Sequence, residues 1–149
     1  MSSNADLLIY DRENRLAVTV DIRARSGTSR EWAAQLRRNL LQHEGFRGAR
    51  FFLVVTLDRM YLWPQADSSP DLTLPTYEAE AEPILRPYIE GTRIDLRSVD
   101  GMTFELLVSS WLSALLYSRS AAPNGQSWLV ESGFLEAVRN GRLFSQAAA

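Results

Sequence analysis

The chain has 149 residues, a length that suits one domain of ordinary size, and 46% of them are hydrophobic, enough for one well-buried core. It has no cysteine and no lysine, which excludes disulfides, thiolate metal sites, cysteine nucleophiles and any lysine acting as base, nucleophile or Schiff-base former. The net charge of −2 argues against a uniformly basic nucleic-acid binder, but the charge is uneven: residues 1–63 hold 10 Arg against 7 acids, and residues 64–149 hold 6 Arg against 11.

No charged leader precedes a long apolar segment, so no signal peptide is expected. The longest uncharged apolar stretch, Leu106 to Tyr117, is shorter than the about 20 residues a bilayer-spanning helix needs. A single cytoplasmic domain over residues 1–149 is the expectation, with no membrane partner.

In chain order, Asp6–Tyr10 reads as a short strand, Asp11–Asn14 as a polar turn, and Arg15–Arg23 as a strand rich in β-branched residues. The turn makes the two antiparallel and places Asp6 opposite Val20 or Asp21. Period two puts Leu16, Val18, Val20 and Ile22 on one face, and Ala17, Thr19, Asp21 and Arg23 on the other. Ser26-Gly27 ends the strand. Thr28 and Glu31 have capping-box spacing for a helix to about Glu44, with Gly45 beyond it. Its expected buried stripe is Trp32, Ala33, Leu36, Leu40 and Leu41, with Arg30, Arg37 and Arg38 mostly off that stripe and Gln35 and Asn39 at its edge.

Arg50–Thr56 is a near-continuous apolar strand, the pattern of a strand covered on both faces. Leu57–Arg59 is a turn, and Met60–Trp63 its hairpin partner near the sheet edge. Pro64–Thr76 reads as a surface loop. Tyr77–Glu90 predicts one short helix opening near Pro83, and Arg93–Val99 a short edge strand. Phe104, Leu107, Val108, Trp111, Leu112, Leu115 and Leu116 follow helical spacing without a miss. Ser118–Ser127 reads as a loop, Ser132–Asn140 as a last helix ended by Gly141, and the alanine tail as frayed.

The order strand, turn, strand, helix, strand, strand is an α/β layer pattern. With Asp6 ahead of the hairpin and Asp21-Ile22-Arg23 at the end of its second strand, residues 5–63 resemble the PD-(D/E)xK nuclease superfamily, which has the restriction-endonuclease-like fold. The segments ADLLIYD, LAVTVDIRAR, EWAAQLRRNLL and FFLVVTLDRMYLW carry the likeness. They look most like small bacterial relatives of the N-terminal domain of type I restriction R subunits. The later segment FELLVSSWLSALL looks like an accessory helix of the same proteins, within a C-terminal helical portion over residues 77–145.

The resemblance implies a mixed central sheet of four to five strands flanked by helices. It implies Mg²⁺ held by Asp6 and Asp21, with the Ile22 carbonyl adding a ligand. It gives Arg23 the position of the motif lysine and Gln35 that of a helper on the following helix. Arg25, Arg30, Arg37 and Arg38 would face nucleic acid, DNA being the expected partner. Three departures stand against full activity. Arg23 stays protonated and cannot act as the base a lysine can be, only five residues precede Asp6, and Ala5 stands where the motif has proline.

The resulting expectation is a nuclease-like protein with a degenerate site, acting in nucleic-acid binding or as an accessory subunit of a DNA-processing or defence system. One alternative is a working Mg²⁺-dependent endonuclease with Arg23 in the lysine's place; another is a structural or interaction domain that retains only the fold. The bland counterpart for Asp21 is a salt bridge to Arg23. His43, the single histidine, suits a helix C-terminus. Trp32, Trp63, Trp111 and Trp128 suit packing. A homodimer follows if Trp111 and the Leu115–Leu116 end exceed what one core can cover.

Overall fold

A computed structural model of the chain describes residues 5–64, 72–117 and 126–145. Its strands are β1 (Leu7–Tyr10), β2 (Leu16–Arg23), β3 (Phe51–Thr56), β4 (Arg59–Trp63), β5 (Tyr77–Glu80) and β6 (Arg142–Ser145). Its helices are α1 (Arg30–Leu40), α2 (Ala81–Ile89), α3 (Gly101–Tyr117), α4 (Ser127–Glu131) and α5 (Phe134–Val138). The strands form one six-stranded sheet in the order β5-β4-β3-β2-β1-β6. Only β2 and β3 pair in parallel, joined through α1; the other neighbours are antiparallel. The fold is α/β, with a mixed sheet flanked by helices on both faces. None of the described helices is long and apolar enough to cross a membrane.

The two faces have separate cores. Leu7, Ile9, Val18, Val20, Phe51, Leu53, Val55, Met60 and Leu62 point to the face covered by α2, α3, α4 and α5. Leu8, Phe52, Val54, Tyr61 and Trp63 point to the face covered by α1. Every residue of β3 is buried, as its unbroken apolar run requires. In β2 the alternation slips once. Ile9 pairs with Val18 but Tyr10 pairs with Leu16, so two residues of β2 oppose one of β1. Leu16 therefore packs on the α1 face, not with Val18, and Ala17 joins the other core.

The β1–β2 turn forms as its residues dictate. Asp11 Oδ1 accepts the amides of Glu13 and Arg15, each at 2.9 Å, and Asn14 takes the left-handed conformation at φ 63° that asparagine tolerates. The start of α1 differs from the capping-box expectation. Ser29, not Thr28, is the N-cap and accepts the Trp32 amide at 3.1 Å. Thr28 instead binds Asp58, Thr56 and Tyr61. The helix stops at Leu40, earlier than Glu44, because the next residues fold into turns that bury Leu41 and Phe46.

Four further expectations need correction. The sheet has six strands, not four or five. The sixth, β6, pairs with the outer edge of β1, and nothing local in Arg142–Ser145 announces a strand. Tyr77–Glu80 has helical composition but forms β5, because the edge of β4 offers it backbone partners; α2 starts only after it, with Pro83 in its first turn. Residues 93–99 form turns in which Asp95 accepts from Arg97, not a strand. The last helix is shorter than expected, Phe134–Val138 after Gly133 at φ 85°, and it is preceded by an unanticipated short helix, Ser127–Glu131. The expected loop and tail at 118–125 and 146–149, and most of the loop at 65–71, lie outside the described residues.

All seven apolar residues expected on the inner face of α3 are buried. Trp111, Leu115 and Leu116 are covered within the chain itself, which removes the ground for expecting a dimer from them.

Candidate functional site at the ends of β1 and β2

Because Leu7 pairs with Val20, the antiparallel register brings Asp6, just ahead of β1, to the last residues of β2. Asp6 Oδ2 accepts the Ile22 amide at 2.7 Å. Ile22 thus contributes its N–H to Asp6, and its side chain packs on the larger core. Asp21 is 4% exposed and its Oδ2 accepts the Arg23 Nε at 2.7 Å.

Burial pushes the Asp21 carboxyl up to about 6; the Arg23 hydrogen bond and charge oppose this, and the neighbouring Asp6 adds to the rise through its charge and a hydrogen bond. Asp6 and Asp21 do converge. A third carboxyl, not anticipated from the sequence, lies within reach of the Asp6 charge. Glu105 on α3 is raised above the ordinary carboxylate value by burial and then by the charge of Asp6. Its Oε1 is buried and, among the described residues, has no hydrogen-bond partner. The signal that could have found it is its isolation, since Glu105 is the one charged residue in the 17 residues of α3.

Asp6 and Asp21, which the resemblance assigns to Mg²⁺, each have one oxygen already engaged in a hydrogen bond. One oxygen of Asp21 is taken by a guanidinium, a cation that a dication would have to displace, and one oxygen of Asp6 is taken by a backbone amide. Among the described residues no group of three or more His, Asp or Glu side chains is arranged to hold a metal ion.

The structure separates the other expected site residues. Gln35 is exposed on α1 and, among the described residues, makes no hydrogen bond to Asp6, Asp21 or Arg23. Arg25 is exposed and lies over the Trp32 ring, 5.4 Å from its centre. Arg38 is exposed on the last turn of α1. Arg30 is half-exposed, donates to the Pro75 carbonyl at 3.4 Å and pairs with Glu78 at 3.8 Å. Arg37 is a correction: it is 2% exposed, facing the sheet over the rings of Phe52 and Trp63 at 6.0 and 5.5 Å. It packs α1 against the sheet and is not among the exposed arginines. Its position looked polar only because its side chain is charged; the aliphatic stem fits an apolar face.

The chain between Arg23 and α1 is fastened to the β3–β4 turn. Leu57 donates to the Arg25 carbonyl at 3.0 Å, and Asp58 accepts from the Gly27 and Thr28 amides and the Thr28 and Thr56 hydroxyls. Burial pushes the Asp58 carboxyl up, but the hydrogen bonds outweigh it and hold the group below the ordinary carboxylate value. This bracket fixes where Arg23 and Arg25 emerge.

A cleft of about 630 Å³ opens beside the β1–β2 turn. Its charges mostly satisfy one another, Arg12 pairing with Glu136 and Arg15 with Asp11 and Glu13. No protein-family model matches the chain, and no curated protein or solved structure shows significant similarity to it.

Proposed function

We propose that this is a nuclease-like protein of the restriction-endonuclease-like fold whose PD-(D/E)xK site is degenerate, and that it binds nucleic acid without cutting it, alone or as an accessory subunit in DNA processing or defence. The observation that carries this reading is the 2.7 Å hydrogen bond from Arg23 to Asp21. The carboxylate that the resemblance assigns to Mg²⁺ is engaged by the arginine standing in the lysine's place. Arg25 and Arg38 on the same side of the sheet leave two exposed guanidinium groups for phosphates. The order of β1, β2, α1, β3 and β4 supports the fold.

The test is cleavage of supercoiled plasmid in Mg²⁺ and in Mn²⁺ by wild type, Asp21→Ala and Arg23→Lys, alongside duplex-DNA binding by each. The expected result is binding without cleavage by wild type. Cleavage by wild type that Asp21→Ala abolishes would make this an active Mg²⁺-dependent endonuclease. Cleavage by Arg23→Lys alone would show that the missing lysine silences an otherwise competent site. Absence of both cleavage and binding would leave a structural or interaction domain.

A further inference from the structure

Arg23 is held by one nitrogen. Its Nε donates to Asp21 Oδ2 at 2.7 Å, and among the described residues its terminal nitrogens make no hydrogen bond or ion pair. Its side chain is 44% exposed while that of Asp21 is 5% exposed. The carboxylate is therefore set into the protein and the outer edge of the guanidinium is in solvent.

The surroundings keep this arrangement. Asp21 sits on β2 between two paired neighbours, with Val54 of β3 beside it, and cannot swing out to follow the arginine. Asp6 is a weak competitor for Arg23, because its Oδ2 is committed to the Ile22 amide. A guanidinium anchored at Nε keeps its two terminal N–H groups coplanar and pointing outward, the geometry that meets two oxygens of one phosphate. Anchoring also removes rotamer freedom before a ligand arrives, so less entropy is lost on binding. Arg25, two residues on and steadied over Trp32, supplies a second cation at the same strand end.

We propose that Asp21 acts here as a positioning residue, holding Arg23 as a receptor for a phosphate group of a nucleic-acid backbone. The proposal rests on the nucleic-acid-binding reading and deepens it: the phosphodiester is what is recognised, and no metal ion is needed for the contact. It also inverts a simple electrostatic expectation. Replacing Asp21 by asparagine removes a negative charge, which by charge alone strengthens binding to a polyanion. If Asp21 positions Arg23, the same change weakens it.

The experiment is fluorescence anisotropy of a labelled short duplex DNA in EDTA and low salt, with wild type, Asp21→Asn, Arg23→Lys and Arg23→Ala, each checked by circular dichroism and thermal melting. Inorganic phosphate is added as competitor in a second arm. Asp21→Asn and Arg23→Lys are each expected to weaken binding about fivefold with the fold retained, and Arg23→Ala at least as much. Asp21→Asn binding as tightly as wild type, or tighter, overturns the proposal and leaves the nucleic-acid reading standing. Wild type failing to bind duplex DNA overturns both. Free phosphate displacing the DNA at comparable concentration assigns the receptor to small anions and overturns the nucleic-acid part. If Asp21→Asn does not fold, Arg23→Lys decides alone, since it keeps the charge and loses the fork; wild-type affinity in that variant rejects the proposal.

Discussion

Asp21 is ionised at neutral pH against the preference of its surroundings. Burial removes water from the carboxylate and Asp6 adds a like charge, while Arg23 offsets only part of this, so the carboxyl sits at about 6. A carboxyl raised in the folded state stabilises the protein fully below its unfolded value, near 4, and that contribution is lost as pH rises through about 6. Asparagine does not titrate. The stability of Asp21→Asn relative to wild type should therefore climb between pH 4 and 6.5 and level off, by about 3 kcal/mol at most, since each pKa unit is worth about 1.36 kcal/mol. Urea unfolding of both proteins across that range measures it; a constant difference would mean the carboxyl is not raised. Arg37 makes a second case at this scale. With its stem buried and its guanidinium over Phe52 and Trp63, Arg37→Ala should lower unfolding free energy by about 2–3 kcal/mol. Arg25→Ala, on the exposed rim, should cost no more than about 1 kcal/mol, the worth of its contact with Trp32. Equal losses in the two variants would contradict this placement.

At the scale of elements, the parts readable from sequence are those in which one periodic pattern meets one buried surface. β3 is apolar throughout and buried throughout, and α3 buries the residues its spacing marks. The elements that escaped depend on distant partners. β5 has helical composition and is a strand because β4 has an open edge; β6 exists because β1 has one. The bulge at Ala17 and the shift of the N-cap to Ser29 come from the register with β1 and from Asp58 claiming Thr28. The candidate site was legible in the same proportion. Asp6, Asp21 and Arg23 could be placed together because a hairpin of known turn fixes their register. Glu105 could not, because it arrives from a helix about a hundred residues along the chain from Asp6. Gly141 shows how tightly β6 is docked. A Cβ there would lie 2.3 Å from the Tyr10 carbonyl oxygen and 2.9 Å from that of Val138. Both are backbone atoms and cannot step aside. Gly141→Ala should cost about 1–3 kcal/mol, and amide exchange should accelerate in β6 and the facing edge of β1 while β3 stays protected. Unchanged protection in β6 would show that the strand end can shift without cost.

For the whole molecule, the two helical layers differ in size and in how their exposed charges are paired. The α1 side presents Arg23, Arg25 and Arg38, while on α2 and the turns before α3 Glu82 is paired with Arg86 and Asp95 with Arg97, beside Arg93, Glu90 and Asp100. Arg30 is drawn to Glu78 and Pro75, and Arg37 is buried, so the footprint that the proposed binding would have for phosphates is small despite the arginine-rich first half. Each neutralised phosphate of duplex DNA releases counterions and adds about 0.9 to the slope of log affinity against log salt. Three exposed guanidinium groups therefore predict a slope of about −3, shallow for a DNA-binding protein, with weak affinity at physiological ionic strength. Arg25→Ala and Arg38→Ala should each reduce the slope by about one. Glu82→Gln should leave it unchanged, because the slope counts cations set against phosphates and Glu82 is paired with Arg86 on α2. Titrations of duplex DNA at a series of salt concentrations measure all four proteins. A steep wild-type slope insensitive to Arg25 and Arg38 would place the binding surface elsewhere on the molecule, and a slope altered by Glu82→Gln would place it on the α2 layer.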